Sequence, residues 1–578
     1  MGQPLRSITI VGGGSAGWLA AAFLNRYCKS KDTKHNLEIT LIESPTIPIV
    51  GVGEASLPGM VVLLHQLGIS ESEFFKLTDA TFKVAAHFIN WDHDDKGRPI
   101  EFLNILNAAG AIDGRQLADY FVTFDPARAA PDAGLAFARS FSPVVEIVRG
   151  NLAPRRPGEP EFSGEIGYTY HFDATRLAAI LKDVATSRGV KHVLDDVDDV
   201  NLDERGFVKS LSLRRQGDHA IDFVIDCTGF RGSILQQALG EPFEPYGDYL
   251  LNDRAAVVQI PHKDANVIAP TTRATGFSAG WNFNIPLTTR VGTGYIFSSQ
   301  FLSDEKAIEE LLAFYGDQAK GCEPRIIPIK TGRVRNAWVK NCVALGLASG
   351  FIEPLEATAI FMSDLGARWL HHYLPTQDFE PELAAAYNRQ IRRVYEEVRD
   401  FVQLHYHLNN RHDTEYWRAA RDGMKLSDRL QENLKVWRAT TPEVLELESS
   451  FLFSKSGLHA APDRQGLLQG RSVGKGVVAE PRGLRAVQHR HAQSASRSDR
   501  GSHQPCRVSK NRGQGAGRPV CEPTPSQRGG LRPNRYEDRA PSPAETSKSP
   551  AQAEALMRLA FRPFARARQC LVTLFSLD

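Results

Sequence analysis

A glycine-rich turn near the start of the chain limits what the protein can fold into more than any other feature. Residues 8–11 are a short, mostly apolar run that leads directly into Gly-Gly-Gly-Ser-Ala-Gly at positions 12–17. Residues 18–24 are apolar and compatible with a helix, and a second, largely apolar run over 37–42 ends at Glu43. This order of strand, glycine turn, helix, strand and acid is typical of a dinucleotide-binding βαβ unit.

Several positions of the turn have a physical role in such a unit. We expect Gly12 to permit the tight turn, Gly14 to let a pyrophosphate approach the backbone, and Gly17 to let the helix pack closely on the strand. The free N–H groups and positive dipole of the helix N-terminus favour phosphate, and Glu43 is placed to accept hydrogen bonds from a ribose. The phosphate-binding residues predicted by this pattern are Gly12, Gly14, Ser15, Ala16 and Gly17. A plain structural turn is the alternative.

The overall composition indicates a large protein of a reducing compartment. The chain has 578 residues, of which 42% are hydrophobic, and this is enough for two or more domains with a large core. Its net charge of only +2 predicts neither a nucleic-acid nor a membrane partner. The seven cysteines are scattered and form no Cys-x-x-Cys pair, which argues against a disulfide scaffold and a zinc site. Because no signal peptide or membrane-length apolar run is evident, we expect a cytoplasmic protein. The cysteine spacing predicts no metal site.

The residues from about Ser456 onwards are unlike the rest of the chain. Between positions 461 and 550 there are 14 arginines, 3 lysines and 7 acids, and Tyr536 is the only aromatic residue. Such a segment cannot bury enough apolar surface to offset the entropy lost on ordering, so we expect disorder. A basic arm for nucleic acid or a partner, a solvated extension, and a shift of the reading frame near residue 455 are three interpretations. We favour the frame shift because the change is abrupt.

Four further motifs follow the glycine turn. They are Gly51-Val52-Gly53-Glu54-Ala55, Lys83 ahead of Asn90-Trp91, Trp281-Asn282-Phe283-Asn284-Ile285-Pro286, and Leu355-Glu356-Ala357-Thr358. The apolar pattern predicts a helix over 59–80 and a strand over 81–91. From its neighbours alone, Lys83 is a surface lysine whose aliphatic stem lies on apolar residues. From its position alone, Glu356 is a carboxylate that stabilises a helix N-terminus.

Together with the glycine turn, these motifs resemble the flavin-dependent halogenases of the tryptophan halogenase family, in the family's order and across roughly residues 5–455. The resemblance implies an α/β protein with an FAD-binding, Rossmann-like βαβ core and an interleaved β-sheet. We accordingly divide the chain into an FAD-binding and halogenation core (1–360), a mostly helical substrate-side region (361–455) and a low-complexity basic tail (456–578).

The resemblance also implies a reaction. Reduced FAD and O2 convert chloride or bromide into hypohalous acid, which halogenates an electron-rich aromatic ring such as an indole. Lys83 would guide the hypohalous acid, by a hydrogen bond or as a haloamine, and Glu356 would polarise this oxidant or take the proton that the ring releases. Backbone N–H groups of Thr358 and Ala359 would hold the halide. The resemblance adds five residues to the cofactor site, namely Val52, Gly53, Glu54, Ala55 and Leu347.

Two motifs depart from the family pattern. The hallmark Trp-x-Trp-x-Ile-Pro is present as Trp281, Phe283, Ile285 and Pro286, so phenylalanine replaces the second tryptophan. The hallmark is associated with suppression of ordinary monooxygenation near the flavin, and phenylalanine keeps its bulk and apolarity. Ala357 stands where the family often has serine. The alternatives to a halogenase are therefore an FAD-dependent monooxygenase and a non-catalytic flavin-binding remnant.

The sequence also indicates partners. No second glycine motif of the nicotinamide type is evident, which predicts that a separate flavin reductase supplies the reduced flavin. The other expected partner is a small aromatic substrate. A homodimer is left open. His405, His407 and His412 are close together in the sequence. Because residues two apart point to different sides of a helix, surface or packing roles are favoured over metal ligation.

Overall fold

The apolar runs on either side of the glycine turn form adjacent parallel strands in the computed structural model of the protein. Strand β1 (Ser7–Val11) pairs with β2 (Glu38–Glu43), with Ile8 opposite Ile39, and helix α1 (Ser15–Cys28) connects them. The run in β1 is continuously apolar apart from one threonine because a parallel sheet is covered on both faces. The predicted βαβ unit is confirmed.

The structure describes residues 2–28, 37–47, 51, 53–106, 111–112, 115–130 and 132–442. All of them fall within one compact unit, residues 1–496. The predicted basic tail, 456–578, lies outside the described residues, as does Val52 of the predicted cofactor site.

The sheet that contains β1 and β2 has six strands within the described residues. Its strands run parallel except for β22 at one edge. In spatial order they are β10 (Lys191–Leu194), β2, β1, β14 (Phe223–Asp226), β23 (Cys342–Ala344) and β22 (Trp338–Val339). A mostly parallel sheet built on a βαβ unit confirms the predicted α/β class.

A second, largely antiparallel sheet supplies much of the remaining core. Its order is β20 (Arg325–Pro328), β16 (Arg254–Ile260), β19 (Val291–Phe297), β18 (Gly280–Pro286), β17 (Thr271–Phe277), β5 (Ala85–His93) and β6 (Pro99–Ile105). Smaller sheets are β3 (Glu54–Ala55), β9 (Thr169–Phe172) and β4 (Thr81–Lys83); β11 (Val197–Leu202), β12 (Val208–Leu213) and β13 (Gly217–Ala220); β15 (Phe243–Pro245), β21 (Gly332–Val334) and β24 (Gly350–Phe351); and β7 (Ala111–Ile112) with β8 (Arg115–Gln116).

Helices pack on the sheets and dominate the last part of the described chain. Among the described residues the α-helices are α1, α2 (Gly59–Leu67), α3 (Glu71–Thr78), α4 (Leu117–Phe124), α5 (Ala133–Phe141), α6 (Val144–Gly150), α7 (Ala174–Ser187), α8 (Asp304–Tyr315), α9 (Ala359–His372), α10 (Pro381–His407), α11 (Glu415–Arg418) and α12 (Asp428–Trp437). Helix α1 packs against α7 and α9, and the long α10 is amphipathic.

Two sequence-based elements are each divided in the structure. The helix predicted over 59–80 is interrupted because Gly68 ends α2 in the left-handed conformation (φ 69°) and Ser70 caps α3 by accepting from the Glu73 N–H. The strand predicted over 81–91 becomes β4 and β5, which pair in different sheets. This second division separates Lys83, the last residue of β4, from the large sheet.

The glycine turn depends on close approach between backbone atoms. A Cβ on Gly17 would lie 2.0 Å from the Gly12 carbonyl oxygen, and a Cβ on Gly12, where φ is +118°, would lie 2.2 Å from the Cys227 carbonyl oxygen. A Cβ on Gly14 would meet no atom within 4 Å. The turn therefore excludes side chains at Gly12 and Gly17 but leaves space beside Gly14.

We predict that Gly17→Ala lowers the free energy of unfolding by about 3 kcal/mol, because its methyl group would displace the Gly12 backbone. The matched control Gly14→Ala should change it by less than about 1 kcal/mol. Urea denaturation of the flavin-free protein checks both. Equal stability of the two variants would contradict the close contact at Gly17.

Candidate active site

A cavity of about 1010 Å³ lies at the carboxyl ends of the parallel strands. The last residues of β1 and β2 line it, together with Cys227 after β14 and Leu345 after β23. Open α/β sheets bind ligands at this edge. The predicted cofactor residues that line the cavity are Gly12, Gly14, Ser15, Ala16, Glu43, Gly53, Glu54, Ala55 and Leu347. Gly17 lies instead at the contact between helix and turn.

The wall of this cavity has the features that a dinucleotide requires. The space beside Gly14 is open, and α1 begins at Ser15 with N–H groups that have no partner inside the helix. Glu43 is held at the wall by His192, whose Nε2 lies 2.9 Å from Oε2. A Cβ on Gly13 would lie 2.3 Å from the Glu43 carboxyl carbon, so a side chain at Gly13 would displace the Glu43 carboxylate. Sequence reasoning missed the parts played by Gly13 and His192. The residues present thus fit FAD.

Lys83 is buried at the end of β4, and only 3% of the residue is exposed. The expectation of a surface lysine is therefore wrong. Its Nζ donates a hydrogen bond to the Ser56 carbonyl oxygen at 3.1 Å. Burial lowers the pKa of Lys83 from 10.5 to about 8, although the nearby Glu356 carboxylate acts to raise it. Because an ammonium group has three N–H donors, Lys83 can offer donors to a further molecule.

Glu356 lies in a short 3₁₀ turn, Pro354–Glu356, just before α9. Its carboxylate is buried and accepts hydrogen bonds from Asn104, whose Nδ2 lies 2.9 Å from both carboxylate oxygens. His405 Nε2 lies 2.9 Å from Oε1. These contacts replace the helix-capping role suggested by its position alone. The fold thus brings Lys83 and Glu356 near each other although they are far apart in the chain.

A thin wall of backbone separates these buried groups from the cavity. Ala55 lines the cavity, whereas the next residue, Ser56, binds Lys83 through its carbonyl. Ala357 and Ala359 line the cavity, whereas Glu356, the residue directly before Ala357, contacts Asn104 and His405. Two short segments therefore have the cavity on one side and the Lys83–Glu356 pair on the other.

The predicted hallmark motif contributes to the same wall. Trp281, Phe283 and Ile285 alternate along β18 and so share one face of the sheet. Phe283 and Ile285 line the cavity, while the Trp281 Nε1–H donates to Glu353 Oε2 at 3.0 Å. Pro286 ends the strand, and its carbonyl accepts from the Thr81 hydroxyl at 2.6 Å. Phenylalanine at position 283 keeps an apolar ring at the cavity.

The predicted halide ligands begin helix α9. Thr358 is buried at the N-cap position, and its side chain makes no capping hydrogen bond. Ala359 is the first residue of the helix and lines the cavity. The positive end of a 14-residue helix favours an anion at this place.

Sequence reasoning missed the parts played by three residues of the site, of which His405 and Glu353 are buried and Asn104 is partly buried. Asn104 and His405 hold Glu356, and Glu353 accepts hydrogen bonds from Asn252, Trp281 and Tyr406. Glu353 has a raised pKa because it is buried, although these hydrogen bonds act to lower it. The local sequence signal for Glu353 was its position three residues before Glu356.

The histidine cluster does not converge on one point. His405 reaches Glu356, whereas His407 Nδ1 lies 2.9 Å from the Arg421 carbonyl oxygen. In the part of the chain that the structure describes, no group of three or more His, Cys, Asp or Glu side chains is arranged to hold a metal ion. No helix among these residues is long and apolar enough to cross a membrane.

Comparison with known proteins identifies the class. The tryptophan halogenase family matches residues 7–471. Tryptophan 6-halogenase SttH from Streptomyces toxytricini is 36% identical over 455 residues, which are 75% of this chain and 84% of that protein. Tryptophan 7-halogenase RebH from Lentzea aerocolonigenes is 35% identical over 452 residues, or 76% of this chain and 83% of that protein.

Solved structures agree with the sequence matches. The crystal structure of SttH has a TM-score of 0.75 and 33% identity, and the match covers 86% of this chain and 96% of that chain. A flavin-dependent tryptophan C-6 chlorinase from taromycin biosynthesis has a TM-score of 0.76 and 31% identity, covering 85% and 96%. The protein is thus an enzyme of the flavin-dependent halogenase class. Within that class, the chain belongs to the tryptophan halogenase family.

The lowered pKa of Lys83 predicts a pH-dependent stability. Below pH 8 the folded protein holds a buried charge, and between pH 8 and 10.5 it binds fewer protons at Lys83 than the unfolded chain does, so stability rises with pH. The unfolding free energy of the wild type should therefore increase by about 3 kcal/mol relative to Lys83→Met across that window. Urea denaturation of both proteins at a series of pH values measures this difference. A constant difference would contradict the low pKa.

Proposed function

We propose that the protein uses reduced FAD, O2 and halide to halogenate an electron-rich aromatic ring, with Lys83 guiding the oxidant. The observation that carries this proposal is the buried Lys83–Glu356 pair, which lies behind a thin wall from a cavity suited to FAD. A confined oxidant needs such an arrangement, because free hypohalous acid would react without selectivity. When bound, reduced flavin supplies the two electrons that activate O2 for oxidation of the halide.

The chain's own residues have separate tasks in this proposal. The turn at 12–17 and Glu43 bind the pyrophosphate and ribose of FAD, and residues 53–55 with Leu347 contact the cofactor further along the cavity. The N–H groups of Thr358 and Ala359 hold the halide at the positive end of α9. These assignments are supported by the positions of the residues, which line the cavity or, as with Thr358, directly precede a residue that lines it.

Lys83 and Glu356 act on the far side of the wall. The Lys83 ammonium donates a hydrogen bond to hypohalous acid, or its neutral amine forms a haloamine, and a pKa of about 8 keeps both forms within reach near neutral pH. As the ring's electron pair forms the carbon–halogen bond, the halogen–oxygen bond of hypohalous acid breaks, and the oxygen leaves as water with a proton donated by the Lys83 ammonium. From a haloamine, the halogen–nitrogen bond breaks instead, and the nitrogen takes up a proton from solvent to return the Lys83 amine. In both cases the ring becomes a cation. The Glu356 carboxylate then accepts the ring proton, and the electron pair of the broken C–H bond restores aromaticity.

The substrate class follows from chemistry and from the relatives. Electrophilic halogenation requires an electron-rich ring, and the named relatives are tryptophan halogenases. We therefore propose an indole as substrate. Reduced flavin comes from a separate reductase, because the sequence has no second dinucleotide motif of the nicotinamide type.

We predict that Gly14→Ala weakens FAD binding about tenfold or more, because its methyl group would occupy the open space where the pyrophosphate approaches. Fluorescence titration of the flavin-free protein with FAD measures the dissociation constant. The unfolding free energy of this variant serves as the control for folding. Unchanged affinity in a folded variant would argue against FAD at the turn.

The reaction itself is tested with indole, FAD, a flavin reductase, NADH, O2, bromide and catalase, with mass spectrometry of the products. The wild type should give a product with the bromine isotope doublet. Lys83→Ala should abolish this product, and Glu356→Gln should lower kcat about 100-fold or more, the contribution of a positioned general base. Both variants should still bind FAD.

Three other outcomes have clear meanings. A hydroxylated product that ignores bromide would assign an FAD monooxygenase. Bound FAD without turnover on a panel of indoles and phenols would assign a non-catalytic flavin-binding protein. Equal bromination by the wild type and Lys83→Ala would show oxidant escaping into solution and would remove the guiding role of Lys83.

A further inference from the structure

Two side chains from distant parts of the chain hold the Glu356 carboxylate. Asn104 on β6 donates to both carboxylate oxygens at 2.9 Å. His405, near the end of α10, places Nε2 2.9 Å from Oε1, and its side chain is only 3% exposed. The carboxylate plane is therefore fixed from two sides, and Oε1 is occupied by both partners.

The hydrogen bond made by Nδ1 of His405 determines how Nε2 can bind Glu356. Its Nδ1 lies 2.9 Å from the Phe401 carbonyl oxygen. Because a carbonyl oxygen only accepts, Nδ1 carries the hydrogen. The contact between Nε2 and Glu356 then contains a proton in either form, since an imidazolium donates to the carboxylate or a carboxyl group donates to the neutral ring.

The His405 ring is also held in place by aromatic neighbours. Phe88 stacks on it with ring centroids 5.1 Å apart, and Phe401 meets it edge-on at 4.9 Å. Phe102 stacks in turn on Phe88 at 4.4 Å. The Trp91 indole N–H donates to the His405 backbone carbonyl at 2.9 Å. A packing histidine would not need a carboxylate partner, so this arrangement calls for a further explanation.

We propose that His405 is a positioning residue for proton removal from the halogenated ring, an inference that rests on the proposed function. As an imidazolium it places a positive charge and a hydrogen-bond donor at Oε1, which leaves a lone pair of Oε2 for the substrate. The ring C–H bond breaks, its electron pair returns to the ring, and the proton passes to Oε2. Asn104 keeps the carboxylate oriented but carries no charge.

Two other titratable groups act on this pair. Lys83 interacts electrostatically with Glu356, and Glu353 interacts with His405. Glu353 is itself tied to Trp281 and Tyr406 by hydrogen bonds. A test of His405 must therefore leave Lys83 and Glu353 unchanged and compare charged with neutral replacements.

The test is the pH dependence of kcat and KM for indole bromination by the reductase-coupled enzyme, with matched variants. His405→Phe should lower kcat about 100-fold at neutral pH and leave KM nearly unchanged. The acid limb of its pH profile should move to higher pH, because the substitution removes a positive charge beside a buried carboxylate. His405→Gln, which restores a neutral donor, should recover part of kcat but keep the moved acid limb.

Asn104→Leu and His407→Gln are the controls. Asn104→Leu should lower kcat and move the acid limb less than His405→Phe does, because it removes a neutral donor and not a positive charge. His407→Gln, the same substitution two residues along the helix, should leave the profile as in the wild type. Retained FAD binding establishes that each variant is folded, and if His405→Phe fails this criterion, His405→Gln decides the question.

Two results would overturn the proposal. An unmoved acid limb in folded His405 variants would reduce His405 to a packing residue, as would an equal shift in Asn104→Leu. A wild-type enzyme that makes no halogenated product would remove the reaction, and the proposal with it. Wild-type activity with unaffected His405 variants would overturn the role of His405 alone.

Discussion

The contact between Gly17 and the Gly12 carbonyl is the constraint on which the rest of the site depends. It brings the N-terminus of α1 against the carboxyl ends of the parallel strands, where the cavity lies. Because β2, β10, β14 and β23 run parallel to β1, their carboxyl ends lie at the same edge of the sheet. Cys227 and Leu345 reach the cavity for this reason, although they are more than two hundred residues further along the chain.

Two short segments lie beside both the cavity and the buried charges. Ala55 in β3 lines the cavity, whereas the carbonyl of the next residue, Ser56, accepts a hydrogen bond from Lys83. Residues 356–359 form a turn rather than a strand, because Glu356 ends a 3₁₀ turn, Ala357 is left-handed (φ 56°) and Ala359 begins α9. Alanine at 55, 357 and 359 suits such a wall, because larger side chains would project into the cavity.

The sequence predicted the local parts of this architecture better than its long-range contacts. The βαβ unit has a strong pattern, because its glycines, strands and acid are all within residues 7–43. The burial of Lys83 could not be predicted from its sequence neighbours, since it depends on the pairing of the three-residue strand β4 with β9 in a sheet separate from that of β5. Asn104 and His405 carried no signal, because their meeting with Glu356 is a property of the tertiary fold. The family resemblance predicted roles for Lys83 and Glu356. It did not predict that Asn104 and His405 bind Glu356.

Burying Lys83 opposes folding, and the surrounding packing must offset that cost. A charge moved out of water without full hydrogen bonding is destabilising, and Lys83 has the Ser56 carbonyl and the field of Glu356 to compensate. The aromatic side chains beside the pair, Phe88, Phe102 and Trp91, are almost fully buried and contribute several kcal/mol of apolar stabilisation by their area, on the order of 2 kcal/mol each. These same rings immobilise His405. The apolar packing that offsets the cost of buried charge is therefore also the packing that fixes the position of His405 beside Glu356.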